Sequence, residues 1–507
     1  MVERLCVKRS VVKTSCVSRS RDTGEGLQTQ DEAPTQGKTY LCHDCKIIYK
    51  DTNLQAFKNK FSKVDMTEGK PWNKLIIFTV PLLIGNLFQQ MYSTADAIIL
   101  GRYVGDNALA AVGSSMPILF LIMVLLMGIS IGAGIMVSQY FGAKKHDELS
   151  YTIGNSLTII TILAVVMAAF GPLGTKPLLT LFNTPPEIID DSMMYMNILL
   201  WGVMGMAYFN ILSAILRGLG DAFSPLVYLA ISCVINIILN YLFIVGFGWG
   251  VPSVAIGTVI AQSFSCLLCF RRLLKMKKEF EMGPRFLIPQ KEYIGKLLRL
   301  GVPTGASQAI IAVAAMIVQP LVNSFGPSII AANVIVMRID GFVMMPIFSF
   351  SNSMTVYAGQ NMGAGKTKRI SQGAKQGAIM SISISAILVA GILIFARFIA
   401  GSFTETQEVA ELSTRMLWIL APGHIALSVA MVFWGTVRGA GDAMSPLWAA
   451  MINTMVVRVP AAYLFVHLTG KPEGIMYGLV ASWTCNMLLS LTVYRIGRWR
   501  TKGIVTK

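Results

Sequence analysis

Asp96 is the residue of this 507-residue chain whose placement most directly implies chemistry. It stands inside an apolar stretch, where an ionised carboxylate is costly and where acids usually face a polar cavity on an ion or proton pathway. Asn86, Gln89, Ser93 and Asp96 recur at i, i+3, i+7 and i+10, which a helix gathers into one stripe, and Tyr92 sits one turn before Asp96. A polar stripe of this kind must face protein or water rather than lipid. A buried negative charge can be met by a proton or by an arriving cation, and the two compete for it. The chemistry on offer is therefore exchange. The structural alternative is a carboxylate that only caps or packs near the outer end of its helix.

Two further stripes could share a site with it. Ser232, Asn236 and Asn240 fall at i, i+4 and i+8, and Thr258, Gln262 and Ser265 follow a comparable spacing. Hydrogen bonds between helices, at about 1 kcal/mol each, would account for them without any transport role. Three other polar residues lie deep in apolar segments. Asp340 follows Arg338 by two residues, so an ion pair between them competes with a coupling role. His424 reads as a packed neutral histidine before a proton carrier, and Arg458 needs carbonyls or Asp340 as partners. No metal site is expected: Cys42-His-Asp-Cys45 has only half of a zinc spacing. Nothing calls for an enzyme or a cofactor either, since there is no HExxH, no pair of metal-ligand acids and no nucleophile beside a base.

The elements that must hold these residues are membrane spans. The chain is 54% hydrophobic and 14% charged, with a mean hydropathy of +0.60, against roughly 25% charged for soluble domains. Runs such as 116–134 and 381–395 hold no ionisable group, and about 20 such residues cross the roughly 30 Å hydrocarbon core. Twelve spans are predicted, at 74–100, 107–140, 151–173, 192–216, 224–246, 251–271, 296–324, 328–361, 373–400, 411–436, 446–468 and 474–495. The second and eighth exceed a simple crossing and are expected to tilt or protrude. Lys and Arg crowd one set of loops, with nine in 271–299, while the other set offers Arg102, Lys176 and Lys471. That bias places both termini in the cytoplasm of a multi-pass inner-membrane protein. It also explains the net charge of +17 without nucleic acid. The eight cysteines suggest no disulfide framework. Residues 1–70 are polar and aperiodic and read as a disordered cytoplasmic tail, with Met66 a possible start of the functional chain. The remainder divides into 71–271, a cytoplasmic linker at 272–295, a second block at 296–500, and a tail at 501–507.

The two blocks are copies. Arg217-Gly-Leu-Gly-Asp-Ala-Phe-Ser-Pro-Leu226 returns as Arg438-Gly-Ala-Gly-Asp-Ala-Met-Ser-Pro-Leu447, with eight identities in ten at an offset of 221. Gln139-Tyr-Phe-Gly-Ala-Lys144 returns as Gln360-Asn-Met-Gly-Ala-Gly365, and Pro81 answers Pro303. Six spans separate the copies, so the halves run parallel and leave a cleft between two bundles, a transporter's geometry. The fold class is all-α membrane protein: twelve helices in two pseudo-symmetric six-helix lobes with a polar N-terminal tail.

These motifs, with Pro81-Leu-Leu-Ile-Gly-Asn-Leu, Tyr92-Ser-Thr-Ala-Asp-Ala-Ile-Ile-Leu-Gly-Arg102 and Ala108-Leu-Ala-Ala-Val-Gly113, resemble the multidrug and toxic compound extrusion (MATE) family over residues 70–500. The resemblance implies a cavity between the lobes, alternating access, and export of amphipathic, often cationic compounds in exchange for H⁺ or Na⁺ by a lipid-embedded monomer. It implies that Tyr92, Asp96, Asn236 and Thr258 line an amino-terminal cavity, with Asn86, Gln89, Ser93 and Gln262 open to substrate. At Asn240 related members often carry a second aspartate followed by proline, so the coupling ion is left open. A sodium-binding acid in the seventh span, known in other branches, has no counterpart in 302–323. A flippase of lipid-linked precursors is the competing reading, but it would need basic residues in the cavity, and Arg458 is the deep candidate.

Overall fold

Hydrocarbon offers backbone N–H and C=O groups no water, so a spanning segment must satisfy them within itself, and a helix does. The computed structural model describes residues 4–6, 16–18, 63–182, 184–276 and 279–505. The chain divides into two compact units, Met1–Gln55 and Ala56–Lys507. In the first, strands β1 (Arg4–Cys6) and β2 (Cys16–Ser18) pair antiparallel. The Cys42-His-Asp-Cys45 motif lies outside the described residues.

The second unit is helical. Its first half contains α1 (Pro71–Tyr103), α2 (Asp106–Gly142), α3 (His146–Leu181), α4 (Pro186–Trp201), α5 (Val203–Gly218), α6 (Phe223–Tyr241) and α7 (Val251–Leu274). A π turn, Leu242–Gly246, prolongs α6. The short α8 (Pro284–Leu287) lies in the linker. The second half contains α9 (Lys291–Asn323), α10 (Pro327–Gly363), α11 (Thr367–Gly401), α12 (Gln407–Gly439), α13 (Met444–Ile452), α14 (Val459–Thr469) and α15 (Glu473–Ile496). A second π turn, Asn453–Arg458, joins α13 to α14. Among the described residues, 11 helices are long and apolar enough to cross a membrane, and 12 when the pair α4 and α5, bent by 53°, counts as one span. The expected twelve spans in two lobes are thus present, each helix reaching past its apolar stretch. At 37 residues each, α2 and α10 are the longest.

The duplicated turns do more than end one span and begin the next. Asp221 accepts from the Ser224 backbone N–H at 2.9 Å and from its hydroxyl at 2.8 Å, capping α6. Asp442 and Ser445 repeat this at 3.1 and 2.7 Å ahead of α13. The other repeat, at Gln139 and Gln360, joins the lobes. Gln139, wholly buried, donates through Nε2 to the Gly439 carbonyl of the opposite lobe at 2.9 Å. Gln360, also wholly buried, donates to the Gly218 carbonyl at 3.0 Å. The side-chain oxygens accept from the terminal segments, Gln139 from Ile504 N–H at 2.8 Å and Gln360 from Met66 N–H at 2.9 Å. Each terminal segment is therefore strapped to the lobe that it does not belong to. The helices meet so closely here that a Cβ on Gly142 would stand 2.0 Å from the Gln360 carbonyl oxygen, and one on Gly363 1.8 Å from that of Gln139.

The last residues of the expected tail are therefore packed. Val64 and Met66 are buried in a cluster with Leu75, Phe350 and Tyr357. Val64 N–H donates to the Gly220 carbonyl at 2.9 Å, and Arg369 holds the Met66 and Glu68 carbonyls at 3.1 and 2.8 Å. Further bonds between lobes, Thr79 to Ser353 at 2.7 Å and Asn86 to Ser349 at 3.0 Å, lie on the inner reaches of α1 and α10. Further along α1, Gln89 and Ser93 are exposed.

A buried hydrogen bond that is lost leaves its former partner unpaired at about 1–3 kcal/mol. Replacing both glutamines (Gln139→Ala with Gln360→Ala) should therefore loosen both straps. Amide exchange of segments 63–70 and 502–505, read by mass spectrometry, should accelerate at least tenfold; unchanged protection would refute the strap.

Candidate functional site

Three helices of the first lobe bring the expected polar residues together. Asp96 and Tyr92, one turn apart on α1, point into the lobe, where Tyr92 is buried and Asp96 half-buried. On α6, Asn236 and Asn240 are wholly buried, as is Ser232. Thr258 projects from α7. The Asn240 amide donates to Asp96 Oδ1 at 2.6 Å and to Asn236 Oδ1 at 3.3 Å. Asn236 reaches Thr258 Oγ1 at 3.5 Å, and the Tyr92 hydroxyl donates to the same atom at 2.7 Å. The result is one chain of polar groups from a carboxylate to a phenol, walled by apolar side chains.

The electrostatics are one-sided. Asp96 receives a hydrogen bond from a neutral amide, and no Lys, Arg or His joins the chain of bonds. Asn240 Oδ1 makes no hydrogen bond among the described residues. It is pressed against Gly257, where a Cβ would stand 2.0 Å away. Gly257 therefore decides where the Asn240 amide lies, and through it the bond to Asp96. Neither the glycine nor its effect was evident beforehand; the signal was a glycine immediately before Thr258.

The stripe on α1 does not stay together. Asn86 and Ser93 lie about 100° around the helix from Tyr92. The first bonds Ser349 of the other lobe at 3.0 Å, and the second donates to its own helix, to the Gln89 carbonyl at 3.2 Å. Gln89 is exposed beside them. Asn86 is thus bonded across the division between lobes, while Asp96 and Tyr92 turn into their own lobe. Gln262 is buried on α7, yet no hydrogen bond joins it to the network, and Ser265 donates to the Tyr228 carbonyl at 2.8 Å.

The second lobe corrects one pairing. Asp340 is partnered not by Arg338 but by His424, whose Nε2 lies 2.6 Å from Asp340 Oδ1. Residues two apart on a helix point about 200° apart, so Arg338 faces away and is exposed. His424, 1% exposed, is packed as expected, with the Trp483 ring 5.0 Å from its own, but it is bonded rather than idle. Arg458 makes no carbonyl contact among the described residues; it lines a cavity with Asp340. No group of three or more His, Cys, Asp or Glu able to hold a metal occurs among the described residues.

Comparison with known proteins agrees with this architecture. The family pattern described as MatE matches residues 81–242 and again 303–464, one copy per lobe and more than half of the chain. The chain is 31% identical over 452 residues to Probable multidrug resistance protein YoeA of Bacillus subtilis, covering 87% of this chain and 97% of that protein. It is 24% identical over 457 residues to Probable multidrug resistance protein NorM of Thermotoga maritima, covering 89% and 97%. A solved MOP superfamily transporter from Pyrococcus furiosus superposes with a TM-score of 0.81 over 86% of this chain and 97% of that one, at 23% identity, a likeness of fold. Matched in both halves by one family and along nearly its whole helical length by multidrug resistance proteins, the chain belongs to the MatE family, the multidrug and toxic compound extrusion transporters.

Proposed function

We propose that this transporter exports amphipathic, often cationic compounds by exchanging them for H⁺ or Na⁺ at Asp96, with the lobes opening alternately to either side of the membrane. The observation that carries this reading is a carboxylate bonded to neutral groups alone. A carboxylate committed to an arginine could not give up its counter-ion cheaply. One held by an amide accepts a proton or a cation without breaking an ion pair. Proton, sodium ion and drug cation then compete for the same charge, and the occupant that arrives from one side displaces the one that leaves on the other.

The neighbours have defined parts. Asn240 holds Asp96 Oδ1, Asn236 and Thr258 extend the polar chain to α7, and Tyr92 supplies the hydroxyl at its far end. Asn86, Gln89 and Ser93, along the border between the lobes, are the polar groups a substrate meets there. The strapped end carries Lys144, Lys145, Lys366 and Arg369, the residues whose loop bias points to the cytoplasm. On that orientation both termini are cytoplasmic.

Purified protein in liposomes tests the exchange. Cationic dye efflux should respond to an imposed pH gradient or to a Na⁺ gradient, and Asp96→Asn should reduce the gradient-driven rate at least tenfold while the protein still inserts; undiminished transport would remove Asp96 from the mechanism. Gly257→Ala should push the Asn240 amide off Asp96, because a 2.0 Å approach cannot be relieved without moving one of the two. Its transport should fall and its pH profile should shift, and a wild-type profile would show that the amide does not tune the carboxylate.

A further inference from the structure

The second lobe has a cavity of about 70 Å³ that the exchange at Asp96 does not use. Gln319 of α9, Asn333 and Asp340 of α10 and Arg458 at the end of the π turn line it, among apolar side chains such as Val336 and Leu479. None of its ionisable neighbours has a polar counterpart in the first lobe. At the repeat offset of 221, Asp340, His424 and Arg458 answer to Leu119, Val203 and Ile237. A carboxyl, an imidazole and a guanidinium therefore meet in one place where the other copy is apolar. Helices that open into a π turn often do so at functional sites.

Hydrogen-bond geometry fixes the charge of this place. His424 Nδ1 lies 3.0 Å from the Leu420 carbonyl, which can only accept, so Nδ1 carries a hydrogen. The 2.6 Å bond between Nε2 and Asp340 Oδ1 then needs a second hydrogen, shared by the two atoms. With that hydrogen the carboxyl and imidazole together are neutral. Asp340 acts on Arg458 across the cavity, but its hydrogen bond goes to His424, and Asp340 and Arg458 make no ion pair among the described residues. Arg458 donates no hydrogen bond among the described residues, although it faces the cavity. A guanidinium inside the membrane whose neighbouring acid, Asp340, is already bonded to a histidine is costly to leave without a further anion. Its planar fork of N–H donors matches a carboxylate in two parallel hydrogen bonds.

We infer that this cavity is an anion subsite that takes the carboxylate group of a small amphipathic carboxylic acid. Arg458 grips the carboxylate, the amides of Gln319 and Asn333 donate to it, and the apolar body lies along Val336 and Leu479. The volume suits the charged end of such a ligand and is well below the roughly 300 Å³ at which drug-sized pockets begin. The subsite stands independently of Asp96, which lies in the other lobe.

Benzoate is the probe, and benzamide, of the same shape without the charge, is its control. With the full chain in lipid nanodiscs, benzoate should raise the Tm in a concentration-dependent way, whereas benzamide should not. Arg458→Gln should weaken benzoate binding at least tenfold. Arg458→Lys, which keeps the charge and loses the fork, should weaken it several-fold. Asp96→Asn should bind benzoate as the wild type does, even where it no longer transports. Equal shifts with benzoate and benzamide would overturn the subsite, as would wild-type affinity in both Arg458 variants or a loss confined to Asp96→Asn. Should Arg458→Gln fail to accumulate, the contrast between benzoate and benzamide on the wild-type protein decides.

Discussion

Every polar group that a chain carries into hydrocarbon must find its partner within the protein or face a wet cavity, and this requirement arranges the rest of the molecule. Serines and threonines along the spans meet it locally, by bonding back to a carbonyl on their own helix, as Ser130 and Thr304 do. Charged residues cannot. Asp221 meets it with the Arg272 guanidinium at 2.7 Å near the end of a span. Asp340 meets it with a histidine. Asp96 meets it with the neutral amide of Asn240.

Duplication supplied two copies of one bundle, and selection has treated their ends and their interiors differently. At the strapped end the copies remain alike: Gln139 and Gln360 make the same pair of bonds, each into the opposite lobe and each to a terminal segment. Inside, they have diverged. The first copy gathers asparagines around an aspartate, and the second gathers an acid, a histidine and an arginine. The two halves thus share one frame at the strapped end and carry unlike chemistry inside it.

Much of this was legible beforehand. Apolar run length gave the twelve spans and the offset of 221 gave the two lobes, because both follow from one-dimensional spacing. The Asp96 neighbourhood was legible in two steps: periodicity put Asn236, Asn240 and Thr258 on helix faces, and the family resemblance implied that Tyr92, Asn236 and Thr258 join Asp96 in one cavity. What spacing could not provide was contact across helices. The stripe on α1 spans about 80°, and Asn86 and Asp96 at its two edges take different partners, a division that periodicity alone does not make. Asp340 sat beside Arg338 in sequence but beside His424 in space. Gly257 was invisible because its effect is the absence of a side chain beside Asn240. The glutamines of the repeat were seen as a pattern and not as a joint, since their acceptors are backbone carbonyls some 142 and 300 residues away.

The crossed straps bear on how the lobes can move. With each terminal segment anchored across the dividing plane, neither lobe can swing free while the other end stays fastened. The two glutamines contribute four of the hydrogen bonds that fasten this end, at about 1 kcal/mol each, so releasing those bonds alone costs on the order of 4 kcal/mol.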